Sequence, residues 1–167
     1  LNFPENIEEK IGFDQIRKKV AGFCYGEPGK ELVYQAKFSS KHKLINHWQT
    51  QNKEWLQILN SGDSFAEGYY FDVSKALKKL EIEGYFLSEQ ELHHLLLTLV
   101  TSVTFINYFK KKQELFPLLA ELVLTVSPQK EIISAIQKVL NEQGEMRNNA
   151  SPELAELNSN IATKERN

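Results

Sequence analysis

The 167-residue sequence is 41% hydrophobic and 25% charged, which is enough apolar side chain for one core and too much for a disordered chain. A net charge of −2 and a pI near 6.1 exclude the broad Lys/Arg excess of a dedicated nucleic-acid-binding module, so any basic surface has to be local. Cys24 is the single cysteine, which excludes a disulfide framework or a cysteine-based zinc site within one chain and fits a reducing, cytoplasmic setting. The first residue is Leu1 and no charged segment precedes an apolar one, so a trimmed chain without a signal peptide is expected.

The first helix is predicted from residue 14. Ile16, Val20, Phe23 and Cys24 recur at helical intervals with Arg17, Lys18 and Lys19 on the other side, which places Cys24 in the core and ends the helix near Gly26. Pro28 and Gly29 predict a turn, followed by a short helix over 30–36. Residues 41–59 read as a long helix whose stripe of Leu44, Trp48, Trp55, Leu56 and Leu59 faces inward. The run Ser61, Gly62, Asp63, Ser64 breaks it. Asp72 then caps a helix to Leu80, with Val73, Ala76, Leu77 and Leu80 inward. The aromatic run between them, Phe65, Tyr69, Tyr70 and Phe71, has the chemistry to stack bases, but such loops more commonly fold back on a helical core, and that is the expectation.

The clearest start signal is Ser88 followed by Glu91, a capping box opening a helix over 88–112 that ends in Lys110, Lys111 and Lys112, cations suited to the negative end of the helix dipole. Its longest apolar stretch, residues 95–106, is short and rich in Thr and Ser, so no membrane span is expected. Phe116 and Pro117 open a helix to Leu124. The pairs Ser127-Pro128 and Ser151-Pro152 open two more, Ser as cap and Pro at the first helical position. Only 145–147, beside Gly144, reads as extended. The fold class is all-α, a multi-helix orthogonal or bundle domain over residues 1–150 with a further helix beginning at 151–167.

No assembled chemistry is visible in the spacing. Residues 26–31, GEPGKE, have two residues between the glycines where a phosphate loop needs four, and Glu31 where it needs Ser or Thr. His93 and His94 are adjacent, about 100° apart on a helix, and do not chelate one ion as a pair four apart does; one on the rim and one solvated is expected. The four histidines have no local partners for nucleophilic catalysis, so no catalytic, cofactor or metal residue is assigned. Lys110, Lys111 and Lys112 are the candidate nucleic-acid contacts, with Lys37, Lys41 and Lys43 elsewhere, although a charge run at a helix end commonly serves as a solvated cap.

The order of four segments adds to this. IGFDQIRKKVAGFCYGEPGKELV, FDVSKALKKLEIEGYFLSEQELHHLL, FPLLAELV and NEQGEMRNNASPELAEL resemble, in that order, the amino-terminal region of the type 2 MutS proteins; the most specific stretch is Gly144-Glu145-Met146 with Ala150-Ser151-Pro152-Glu153-Leu154. The resemblance implies a MutS-like core, or lever, domain of a dimeric DNA-clamping ATPase whose full chain ends in a Smr nuclease domain. ATP and magnesium would belong to the rest of such a parent, as would binding to branched or duplex DNA or to ribosomes, and this part would be mechanical rather than enzymatic. On this reading Leu154, Leu157 and Ile161 form the seam of a lever helix that continues beyond the sequence. A helical adaptor that binds a partner protein through an amphipathic groove is the alternative that composition allows.

Overall fold

The computed structural model describes residues 7–62 and 68–165, which form nine helices: α1 (Ile7–Lys10), α2 (Phe13–Gly22), α3 (Glu27–Gln35), α4 (His42–Asn60), α5 (Ser74–Lys79), α6 (Glu89–Lys111), α7 (Pro117–Leu124), α8 (Lys130–Val139) and α9 (Pro152–Glu165). The all-α expectation holds among them. The single extended pairing among the described residues is an antiparallel bridge between Met146, inside the stretch read as extended, and Leu140, outside it.

Helix α6 is the spine. Ser88 accepts from the Glu91 amide while the Glu91 carboxylate accepts from the Ser88 amide, so the capping box is complete. Towards its C-terminal end, Phe109 joins Ile58 of α4, Phe116 and Ala120 in one core cluster; towards its N-terminal end, Leu96 joins Ile136 and Leu140 around α8 in a second. By length and composition alone α6 is apolar enough to cross a membrane, a test that the core helix of a globular domain also passes. Its hydroxyls return to its own backbone, Thr101 to the Leu97 carbonyl and Ser102 to that of Thr98, and both core clusters pack on it, as in the central helix of a globular domain.

Two helices are rotated from the faces that their sequences suggest. On α2 the packed line is Phe13, Arg17 and Ala21, while Ile16 and Val20 are exposed. The cause is Arg17, whose guanidinium stacks on Phe13 at 4.4 Å, pairs with Glu8 of α1 at 2.7 Å and donates to the Ala36 carbonyl beyond α3. The helix ends at Gly22, so Cys24 lies beyond it and is half-buried rather than a core residue, and Phe23 is 86% exposed. On α4 the buried residues are Glu54 and Ile58, whereas Trp48, Trp55, Leu56 and Leu59 point outward.

Three smaller corrections follow from local chemistry. Pro28 sits in the first turn of α3, which starts at Glu27 rather than 30, because a proline needs no amide donor there. Helix α8 starts at Lys130 with Gln129 as cap residue, so Ser127 does not cap it. In α5 only Ala76 is buried; Leu77 and Leu80 are exposed, although the Asp72 carboxylate does accept from the Ser74 amide at 3.0 Å.

Candidate functional site

The expected folding-back of the aromatic segment holds in part: Phe71 is half-buried, whereas Tyr69 and Tyr70 are exposed; Phe65 lies outside the described residues. The Tyr69 amide donates to the Thr101 hydroxyl at 3.0 Å, and a Cβ on Gly68 would come within 2.3 Å of the Thr101 methyl, so glycine allows the chain to press onto α6. Phe71 stacks on His94 at 3.9 Å and Tyr70 on Tyr25 at 5.3 Å. This last stack joins the α2–α3 hairpin to α6 across an open cleft of about 470 Å³. Burial raises the pKa of the Tyr70 hydroxyl, with the neighbouring Tyr25 adding to it.

The cleft wall includes Gly26, Pro28 and Gly29, from the stretch that brushes against a phosphate loop. They form the start of α3, where Pro28 offers no amide and the Lys30 ammonium is held by Glu27 at 2.6 Å. That hydrogen bond, then the Glu27 charge, holds the Lys30 pKa above its ordinary value.

His93 and His94 are both half-buried, which corrects the expectation of a solvated member. His94 serves the Phe71 stack. The His93 ring lies over buried Gly144, where an added Cβ would meet its Nδ1 at 2.2 Å. Gly144 has φ +83°, and it closes the turn between Leu140 and Met146 while the Asn141 side chain accepts from the amides of Gln143 and Glu145. No group of three or more metal-ligating side chains assembles among the described residues.

The lysine run divides. Lys110 and Lys111 are exposed in the last turn of α6, and Lys112 is the C-cap residue with its ammonium 5.0 Å from the Tyr108 ring centroid. An interaction that sequence reasoning misses lies nearby in the same cluster. Glu54, 6% exposed on α4, accepts from the Leu118 amide at 3.2 Å and the Leu119 amide at 2.9 Å, capping α7 from another helix.

Large apolar side chains remain on the outside: Phe23, Tyr25, Leu32 and Phe38 on the α2–α3 side, Trp48, Leu56 and Leu59 on α4, and Leu157 and Ile161 on α9. The described residues therefore define an all-α domain held by two clusters on one spine, with large apolar side chains exposed along α2–α3, α4 and α9. The chain is a MutS2-type sequence. Over 156 residues it is 30% identical to the Endonuclease MutS2 of Alkaliphilus oremlandii, a match covering 92% of this chain and 20% of the relative. The Endonuclease MutS2 proteins of a Geobacillus species and of Halalkalibacterium halodurans are 27% and 25% identical, over 93% and 98% of this chain and 20% and 21% of theirs. The chain thus spans about a fifth of the length of these relatives. No family model matches it, and no solved structure matches it significantly.

Proposed function

We infer that this chain is a non-catalytic core and lever element of a MutS2-type protein, carrying the nucleotide state of an ATPase elsewhere in the parent to a clamp on nucleic acid. The observation that carries this reading is the outward rotation of the apolar stripes of α2 and α4 together with the exposed Leu157 and Ile161 of α9. A part that transmits motion must be gripped by its neighbours, and these faces are suited to burial against other parts of the same polypeptide. In the parent, ATP and magnesium belong to that other domain, the partners are a second copy and branched or duplex DNA or the ribosome, the setting is cytoplasmic, and the process is suppression of homologous recombination. The same exposed stripes also suit the adaptor reading, in which a separate protein covers them.

The test uses the full-length parent. Retention of a branched DNA or of ribosomes is measured with and without ATP, in the wild type and with polar substitutions at Trp55 and Leu59. Transmission predicts that ATP hydrolysis and basal retention survive while the difference made by ATP is lost. If the ATP response is unchanged and a separate protein's binding is lost instead, the adaptor reading replaces it.

A further inference from the structure

From Leu32 to Lys53 the sequence contains no Asp or Glu, while Lys37, Lys41, Lys43 and Lys53 fall within it, in a chain whose net charge is −2. The fold gathers this stretch around one groove of about 520 Å³ between the end of α3 and the start of α4, lined by Leu32, Lys37, Phe38, Lys41, Leu44 and Trp48 among others. Phe38 and Trp48 are exposed there. We propose that this groove binds single-stranded nucleic acid, with Lys37 and Lys41 on its phosphates and Trp48 against its bases.

The electrostatics favour an anion. Lys41 is the N-cap residue of the 19-residue helix α4, His42 and Lys43 follow it, and no acidic residue occupies the first turn, so cations stand at the positive end of the helix dipole. Among the described residues neither Lys37 nor Lys41 is in an ion pair. Glu8 lines the neighbouring cavity beside Lys37, but Arg17 holds it. A repulsive arrangement of this kind is relieved by a ligand that brings several negative charges.

The aromatic floor selects among anions. Trp48 lies two turns along α4 from Lys41, with exposed Asn52 one turn further on the same side, so cations, a π-face and an amide follow one another along a single track. Phosphate, base face and base edge follow one another in the same way along a nucleic-acid strand. An acidic helix would satisfy the lysines but bring no planar ring to Trp48. A lipid surface would call for cations flanking the whole apolar stripe, whereas Gln49, Gln51 and Asn52 flank its middle. The inference needs only this chain and stands whether or not the transmission role does.

Both tryptophans of the chain, Trp48 and Trp55, are on α4, so intrinsic fluorescence reads the groove directly. The 167-residue chain is titrated with an oligothymidylate of about fifteen nucleotides, near the upper end of a single-strand site. Saturable quenching is expected, with log K falling against log salt at a slope of about −1.4, as two phosphates at roughly −0.7 each require. The double substitution Lys37→Ala/Lys41→Ala should bring the slope close to zero. Trp48→Ala should weaken binding about tenfold, Trp48→Phe should largely preserve it, and far-ultraviolet circular dichroism should be unchanged throughout. Absence of quenching overturns the proposal, as does binding that survives the lysine pair but is lost in Lys110→Ala/Lys111→Ala. Tighter binding to phosphatidylglycerol vesicles or to an acidic helical peptide than to the oligonucleotide also overturns it.

Discussion

Gly144 is where one side chain most sharply restricts the fold. Its φ of +83° disfavours any residue with a Cβ, and the His93 ring occupies the space that a Cβ would fill. Gly144→Ala should therefore cost about 2–4 kcal/mol in urea unfolding, combining a left-handed backbone penalty with overpacking. Adding His93→Ala should recover only the overpacking part. At Glu91 the backbone hydrogen bond from Ser88, followed by those from Lys79 and the Ser88 side chain, holds the carboxyl below its ordinary range. A carboxyl lowered by folding contributes stability that is full above the unfolded pKa of about 4.3 and is lost as pH falls through the folded value. Glu91→Gln should accordingly flatten the loss of thermal stability below about pH 4.5, measured as melting temperature against pH. The signal for both residues is local, a glycine beside a hairpin and a Ser with Glu three residues on, and both could be read from the sequence.

At the scale of the helix, α7 depends on a group that its own sequence does not supply. Phe116 at its N-cap cannot accept a hydrogen bond through its side chain, and buried Glu54, more than sixty positions earlier, takes the Leu118 and Leu119 amides instead. Glu54→Ala should cost about 2–3 kcal/mol by uncapping two amides, and exchange at Leu118 and Leu119 should accelerate before the rest of α7. Glu54→Gln, with one acceptor oxygen, should fall between. Helix existence and most boundaries were readable, since the periodicity of α4, the box of α6 and the proline of α7 are encoded within each segment. Helix orientation was not. Periodicity identifies an apolar stripe but not what covers it, and on α2 and α4 the residues that pack inward include Arg17 and Glu54, chosen by partners on other helices. The contact of Lys112 with Tyr108 was hidden for a related reason: a charge run does not disclose which member sits over an aromatic ring. The candidate groove of α3 and α4 was only half readable, as scattered lysines whose common wall the fold supplies.

For the whole molecule the question is what the exposed apolar faces are for, and α9 gives the sharpest test. The helix is anchored at its start: Ser151 accepts from the Leu154 amide at 3.2 Å, and the Asn158 side chain donates to the Asn148 carbonyl at 3.1 Å. Farther along, Leu157 is 59% exposed and Ile161 53%, so the seam that begins with half-buried Leu154 has no facing helix among the described residues. Nucleation is costly and packing supplies most helical stability, so a helix held at one end frays from the other. Amide exchange in dilute solution should be slow near Leu154 and Ala155, and fast from Ile161 onward. In the full-length parent the same amides should be protected, because the transmission reading requires a facing helix along Leu154, Leu157 and Ile161. Polar substitution at Leu157 should then be nearly neutral, within about 0.5 kcal/mol, in the isolated chain but destabilising in the parent. If exchange beyond Ile161 in a demonstrably monomeric isolated chain is already as slow as in α6, the helix is secured within its own domain. A helix secured in that way cannot serve as a lever between distant domains, and the transmission role falls with it.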